Sequence, residues 1–118
     1  MRVAEMYLLH AEAAAKTGDE VAAKSSLKAV VELRVTDASY VDTLSGQALL
    51  DEIHLQTRIE LWGEGKAYFA MKRNKSTITR GSNWLDYAGD SFQYDDEKLT
   101  YEIPEAEIRD NPLISEQN

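Results

Sequence analysis

The sequence predicts a mainly α fold: a helix hairpin, further helices behind it, and an irregular, loop-rich C-terminal region. Three observations predict it. Apolar residues recur at helical spacing through residues 2–17, 20–34 and 46–62. Only two prolines interrupt 118 residues, and alanine is abundant, which favours helix. Beyond residue 74 the periodicity stops and Asn, Ser, Thr, Gly and Asp take over. The length fits one domain, read as hairpin (1–34), helices (46–73), and loop with tail (74–118).

Residues 2–17 form the first predicted helix. Winding them at 100° per residue puts Arg2, Glu5, Glu12 and Lys16 on one narrow polar strip, with Leu9 among them. Val3, Ala4, Met6, Tyr7, Leu8, Ala11, Ala14 and Ala15 fill most of the rest, an apolar arc wide enough to be packed on more than one side. Gly18 supplies the left-handed residue that ends this helix, and Asp19 caps the next. In the second helix, 20–34, Ala22, Ala23, Leu27, Ala29, Val30 and Leu33 share one face. Glu20–Lys24 and Lys28–Glu32 are expected as i,i+4 pairs on the other. Together the two helices span about 33 residues, close to the ~34 of a tetratricopeptide-type repeat. One such hairpin cannot bury its outer faces, so neighbours must come from elsewhere.

Residues 35–45 read as a polar connector, and Ser45 as the cap of a third helix, 46–62. That helix is apolar on two sides: Leu49, Leu50, Ile53 and Leu61 on one, Leu55, Ile59 and Trp62 on the other. It is expected to be sandwiched. Gly63-Glu64-Gly65 breaks it, and a short helix, 65–73, carries Tyr68 and Phe69 as core residues. Residues 74–100 read as a long loop or irregular hairpin. Residues 101–118 read as a short strand into a helical turn, with Pro104 at its first position and Asn111-Pro112 at its end.

Charge and composition exclude several classes. The formal net charge is −8, from 21 acidic and 13 basic residues. Phosphate contacts need clustered Lys and Arg, so nucleic acid is not an expected partner, nor is an anionic lipid surface. With no cysteine there is no disulfide, thiolate nucleophile or cysteine-ligated metal. His10 and His54 lie on separate helices with no ligand spacing around them, so no metal or other cofactor is expected. Glu60 and Glu64 share a helix face, whereas glycosidases set two carboxylates across a cleft. Glu60 falls on the inner side of its helix, which predicts a partly buried carboxylate paired with an arginine such as Arg34 or Arg58. Gly63-Glu64-Gly65 is too short for a phosphate loop, and its carboxylate would repel one. No apolar run approaches the ~20 residues of a membrane span. The opening Met1-Arg2-Val3-Ala4-Glu5 reads as helix, not as a leader, as in a segment of a longer protein.

Four stretches taken together resemble the C-terminal part of the SusD/RagB family: residues 2–19 (RVAEMYLLHAEAAAKTGD), 27–34 (LKAVVELR), 49–73 (LLDEIHLQTRIELWGEGKAYFAMKR) and 101–118 (YEIPEAEIRDNPLISEQN). The resemblance implies a tetratricopeptide-like scaffold with an irregular ligand-binding part. It also implies a non-catalytic lipoprotein, surface-exposed on the outer membrane of Bacteroidetes-type bacteria. Such a protein captures glycans or other nutrients and passes them to a TonB-dependent porin partner. Its lipid-bearing cysteine and first repeats would lie upstream of these residues. The sequence departs from the family pattern at Thr57, where Glu often precedes the Arg, and at Ala67 and Ala70, where an Arg and an Asp are usual.

One loop set has the residue types of a saccharide site. Trp84 and Tyr87 offer flat faces for sugar C–H groups, and Asn83 and Asp86 offer partners for hydroxyls. The competing reading is that Trp84, Tyr87, Phe92 and Tyr94 anchor the loop by burying their rings. A different class of function, a helical-repeat module that docks a protein segment, would expose a concave helix face instead. Pairing of two copies would be one way to cover the unmatched apolar faces of an incomplete stack.

Overall fold

A computed structural model describes residues 2–83, 85–114 and 116. The chain divides into two units, Met1–Ala70 and Met71–Asn118. Five α-helices occur among the described residues: α1 (Val3–Lys16), α2 (Glu20–Val31), α3 (Gly46–Glu60), α4 (Lys66–Arg73) and α5 (Glu105–Asp110). A two-stranded sheet pairs β1 (Ile78–Thr79) with β2 (Ser91–Phe92). The mainly helical fold read from the sequence is the observed one.

The first unit is built on the predicted hairpin. At the end of α1, Gly18 takes φ +87°. The Asp19 amide then reaches the Ala14 carbonyl at 2.9 Å, and the Gly18 amide reaches that of Ala15 at 3.2 Å. This is the double closure of a Schellman ending. Asp19 next accepts from the Ala22 amide at 3.0 Å and starts α2. Leu8, Ala11, Ala23, Leu27, Val30, Val31, Leu49 and Ile53 are all buried in one core between α1, α2 and α3.

The connector departs from the sequence reading. Residues 39–43 form a 3-10 turn, and Val41 and Ala38 are buried in the helical core. Two short apolar side chains in a polar stretch have no period, which is why the pattern missed them. Lys28 donates to Asp42 of this turn at 2.6 Å, not to Glu32 as expected. The nearby Asp42 carboxylate raises the Lys28 pKa above the ordinary lysine value. Tyr40 donates to Glu52 at 2.7 Å. Partial burial first, then that carboxylate, pushes its phenol up to about 12.

The connector carries the chain back along α2, so that α3 runs parallel to α2 and antiparallel to α1. Polar contacts at both ends fix this. At the start of α3, Ser45 is the N-cap residue, as expected, but its side chain makes no capping bond. Instead the Glu20 carboxylate, from the first turn of α2, accepts from the Gly46 amide at 2.7 Å. A carboxylate there meets the positive end of the helix dipole. Its partner is 26 residues away in sequence, beyond the reach of any local capping signal. Glu20→Ala is expected to cost about 1 kcal/mol, the usual value of a lost N-terminal cap. Urea unfolding followed by circular dichroism checks this.

At the far end of α3, the sequence expectation for Glu60 holds. Its side chain is 10% exposed, and Arg34 grips it bidentately at 2.8 and 3.0 Å. Arg2 donates to the Glu60 carbonyl at 2.9 Å and pairs with Glu64 at 2.9 Å. Lys66 pairs with Glu5 at 2.9 Å. That bond holds the Glu5 carboxyl below the usual carboxylate range. Glu12, on the predicted polar strip, is buried and bonded to Lys16 at 2.8 Å. Leu9 of the same strip is exposed. Of the three positions that depart from the family pattern, Ala70 is buried and Thr57 and Ala67 are half-buried.

Not every predicted apolar residue is covered. Phe69 is 64% exposed, against the expectation of a core residue, and Leu33 is 71% exposed because α2 ends at Val31. The outer row of α3 is open rather than sandwiched. No described helix is long and apolar enough to cross a membrane.

In the second unit, the irregular hairpin of the sequence reading is present, with Ile78 opposite Phe92 and Thr79 opposite Ser91. No strand occurs in residues 101–103. Pro104 is the residue just before α5 rather than its first helical position, and Asn111 ends that helix.

Candidate functional site

The candidate residues Asn83, Asp86 and Tyr87 sit on one loop, held closed by the β1–β2 hairpin. Below it, Thr79 Oγ1 and Ser91 Oγ lie 2.9 Å apart across the strands. The Arg80 amide then donates to the Asp90 carbonyl at 2.9 Å, and the Gly89 amide returns to the Arg80 carbonyl at 3.2 Å. The loop spans the residues between. Its far side is turned by Tyr87 and Gly89, both with positive φ (+54° and +81°), and the Asp90 amide donates back to the Tyr87 carbonyl at 3.1 Å. Gly adopts this conformation freely; a tyrosine there costs of order 1 kcal/mol.

The Tyr87 ring sets that cost against packing. It meets Phe92 edge to face, with centroids 5.6 Å apart and planes at 87°. Phe92 is buried at 7% exposure, while Tyr87 remains 53% exposed. Asp96 accepts from the Lys98 amide at 2.9 Å and starts the 3-10 turn Glu97–Leu99. That turn sets the Lys98 ammonium 5.1 Å from the Tyr87 centroid and 5.3 Å from that of Phe92, both within cation–π range. The sequence reading has Phe92 only as one of four loop anchors, and Lys98 not at all; a lone lysine in a polar stretch gives no signal.

Both readings of the loop aromatics therefore find a place. Phe92 is an anchor. Tyr94 is half-buried, with Lys75 5.5 Å from its ring. Tyr87 packs on Phe92 with Lys98 over its ring and stays 53% exposed, and Asn83, Leu85 and Asp86 are exposed beside it in sequence. Trp84 lies outside the described residues. The arrangement offers a fixed aromatic ring, an amide, a carboxylate and an ammonium on one short segment. That set can stack on a flat apolar surface and exchange hydrogen bonds with hydroxyl groups.

The other sequence candidates are accounted for by structure. Glu60 and Glu64 are each held by an arginine, Arg34 and Arg2. His10 Nδ1 lies 2.8 Å from Ser26 Oγ, a helix-to-helix bond within the hairpin. Among the described residues no three His, Cys, Asp or Glu side chains converge as they would around a metal ion.

A helix hairpin extended by a third helix, followed in sequence by an irregular hairpin unit, defines a mainly helical scaffold protein. The SusD family model matches residues 1–118, and the chain belongs to the SusD family. This is a family of nutrient-binding proteins, generally of the cell surface. The chain is similar in structure to a SusD superfamily protein from Bacteroides vulgatus ATCC 8482, with a TM-score of 0.82 and 30% identity. The similarity covers 100% of this chain and 26% of that one, so the chain spans about a quarter of its relative's length. No curated protein matches it.

Proposed function

We propose that this chain is part of a non-catalytic, cell-surface nutrient-binding protein whose ligand is a glycan, and that the loop 83–87 contributes contacts to it. The observation that carries the reading is Tyr87: a half-exposed ring, fixed against buried Phe92, with Asn83 and Asp86 exposed on the same loop. Sugar recognition needs such a flat platform held rigidly, with polar groups at its rim. Trp84 joins the set on its residue type alone. In the full-length protein a lipid anchor would hold it at the outer membrane, and a TonB-dependent porin partner would receive the ligand. Family membership supports these last three points.

The test is tryptophan fluorescence titrated with a panel of neutral oligosaccharides. A saturable shift is expected, present in Trp62→Phe and absent in Trp84→Ala. Tyr87→Ala should weaken the fitted affinity by about tenfold, the ~1.4 kcal/mol range of one aromatic contact. If no sugar shifts the emission, recognition lies outside this segment. If the shift survives Trp84→Ala but not Trp62→Phe, the ligand binds the helical unit instead.

A further inference from the structure

Two lysines of the second unit lie over aromatic rings. The Lys98 ammonium stands 5.1 Å from the Tyr87 centroid and 5.3 Å from that of Phe92. The Lys75 ammonium stands 5.5 Å from the Tyr94 centroid. Asp86, Asp90, Asp95, Asp96 and Glu97 closely precede Lys98 in sequence. Among the described residues none of them forms an ion pair with it. The Asp96 carboxylate is bonded instead to the Lys98 amide, at 2.9 Å, and so fixes the turn that carries the side chain. Lys98 is exposed. Its apolar stem can lie on the rings while the ammonium stays in water. It thus presents, beside the half-exposed Tyr87, a positive charge that no described carboxylate meets at contact distance. Lys75 stands over Tyr94, the less exposed ring.

We propose that the glycan taken at this loop carries a carboxylate, that of a uronic acid unit, and that Lys98 selects it. This rests on the reading of the loop as a saccharide site. In a uronic acid the carboxylate is joined directly to a ring carbon. A sugar stacked on Tyr87 therefore carries its charge into the surroundings of the ammonium 5.1 Å from that ring. A hydrogen bond between two ionised groups there is stronger than one to a neutral hydroxyl. The five carboxylates oppose any anion. Coulomb energy falls with distance, however, and salt screens it beyond about 8 Å. A cation in contact with the ligand therefore outweighs carboxylates that lie further off.

Isothermal titration of the 118-residue chain with matched sugars tests it. The probes are short galacturonate, glucuronate and mannuronate oligosaccharides, each as the free acid and as its methyl ester. The ester keeps the sugar and removes the charge. At least one free acid should bind about tenfold more tightly than its ester, the low end for a hydrogen bond to a charged group. At about 1 M salt that ratio should shrink, since screening then acts within about 3 Å. Lys98→Arg should keep the preference and Lys98→Met should abolish it. Lys75→Met removes the same charge from the same unit and should leave the preference in place. Circular dichroism checks that each variant is folded. Equal binding of acid and ester overturns the proposal and leaves a saccharide site standing, as does binding of neutral sugars alone. An equal loss of preference in Lys98→Met and Lys75→Met overturns the role of Lys98. If no sugar binds, acid or neutral, the saccharide reading of the loop falls and this inference with it.

Discussion

Leu27→Ala is expected to remove most of the folding free energy of the first unit. Leu27 is fully buried where α2 meets α1 and α3, among Leu8, Ala11, Ala23, Val30, Leu49 and Ile53. Truncating it loses the transfer energy of the missing carbons and leaves a cavity that three packed helices cannot close. Together these cost about 3 kcal/mol, within the ~2–5 kcal/mol range for such substitutions. A unit of this size seldom has more than ~5 kcal/mol to lose. Thermal unfolding followed at 222 nm should show a partly unfolded chain at room temperature. Leu55→Ala is the control: the same chemical change at a side chain already 45% exposed. It should alter stability by no more than about 0.5 kcal/mol. Equal losses at the two positions would mean that the core is not where the structure puts it.

Removing Arg34 is the second large effect. The Glu60 side chain is 10% exposed and is held by two guanidinium bonds. Without them a nearly buried carboxylate loses its counter-charge. A fully buried pair broken this way costs ~3–5 kcal/mol. Arg34 itself is 52% exposed, so water and Arg2 nearby reduce the loss; about 2 kcal/mol is expected for Arg34→Ala, within the range for hydrogen bonds to charged groups. Glu60→Gln should cost less, since a neutral amide tolerates the same site. The double variant should be more stable than the sum of the two single losses predicts, which urea unfolding of all four proteins measures directly. Strict additivity would mean that the two groups do not interact in solution.

These two residues also mark what the sequence makes legible. Leu27 declares itself by periodicity, because helices recur every 3.6 residues and a core face follows. The Glu60–Arg34 pair is foreseen by a cost argument: a carboxylate on an apolar face must have a cation, and few were placed to provide one. Glu20 at Gly46 is not foreseeable this way, since a cap supplied from another helix depends on how the chain returns. Val41 and Ala38 are hidden for a related reason; a single turn of 3-10 helix is too short to show a period. The outer row of α3 is legible as apolar, but the residues alone do not tell a covered seam from an open one. At the candidate site, residue type points to Tyr87, while its left-handed backbone is invisible. Asn or Gly would signal such a turn, and a tyrosine does not. Phe92, which holds the ring in place, reads like any other loop aromatic.

The return of the connector gives α3 a fixed length. Glu20 holds its first residue and Arg34 its last, and both belong to the same neighbouring helix and its exit. Each residue added to an α-helix advances it by ~1.5 Å and turns it by ~100°. One insertion anywhere between Gly46 and Glu60 would therefore swing Glu60 away from Arg34 even while Gly46 stays in place. A full extra turn would restore the angle but overshoot by ~5.4 Å. α2 and α3 thus behave as a matched pair of rulers. Length can be added in the loop between Arg80 and Asp90, where the hairpin closes beneath it, but not between the two clamps.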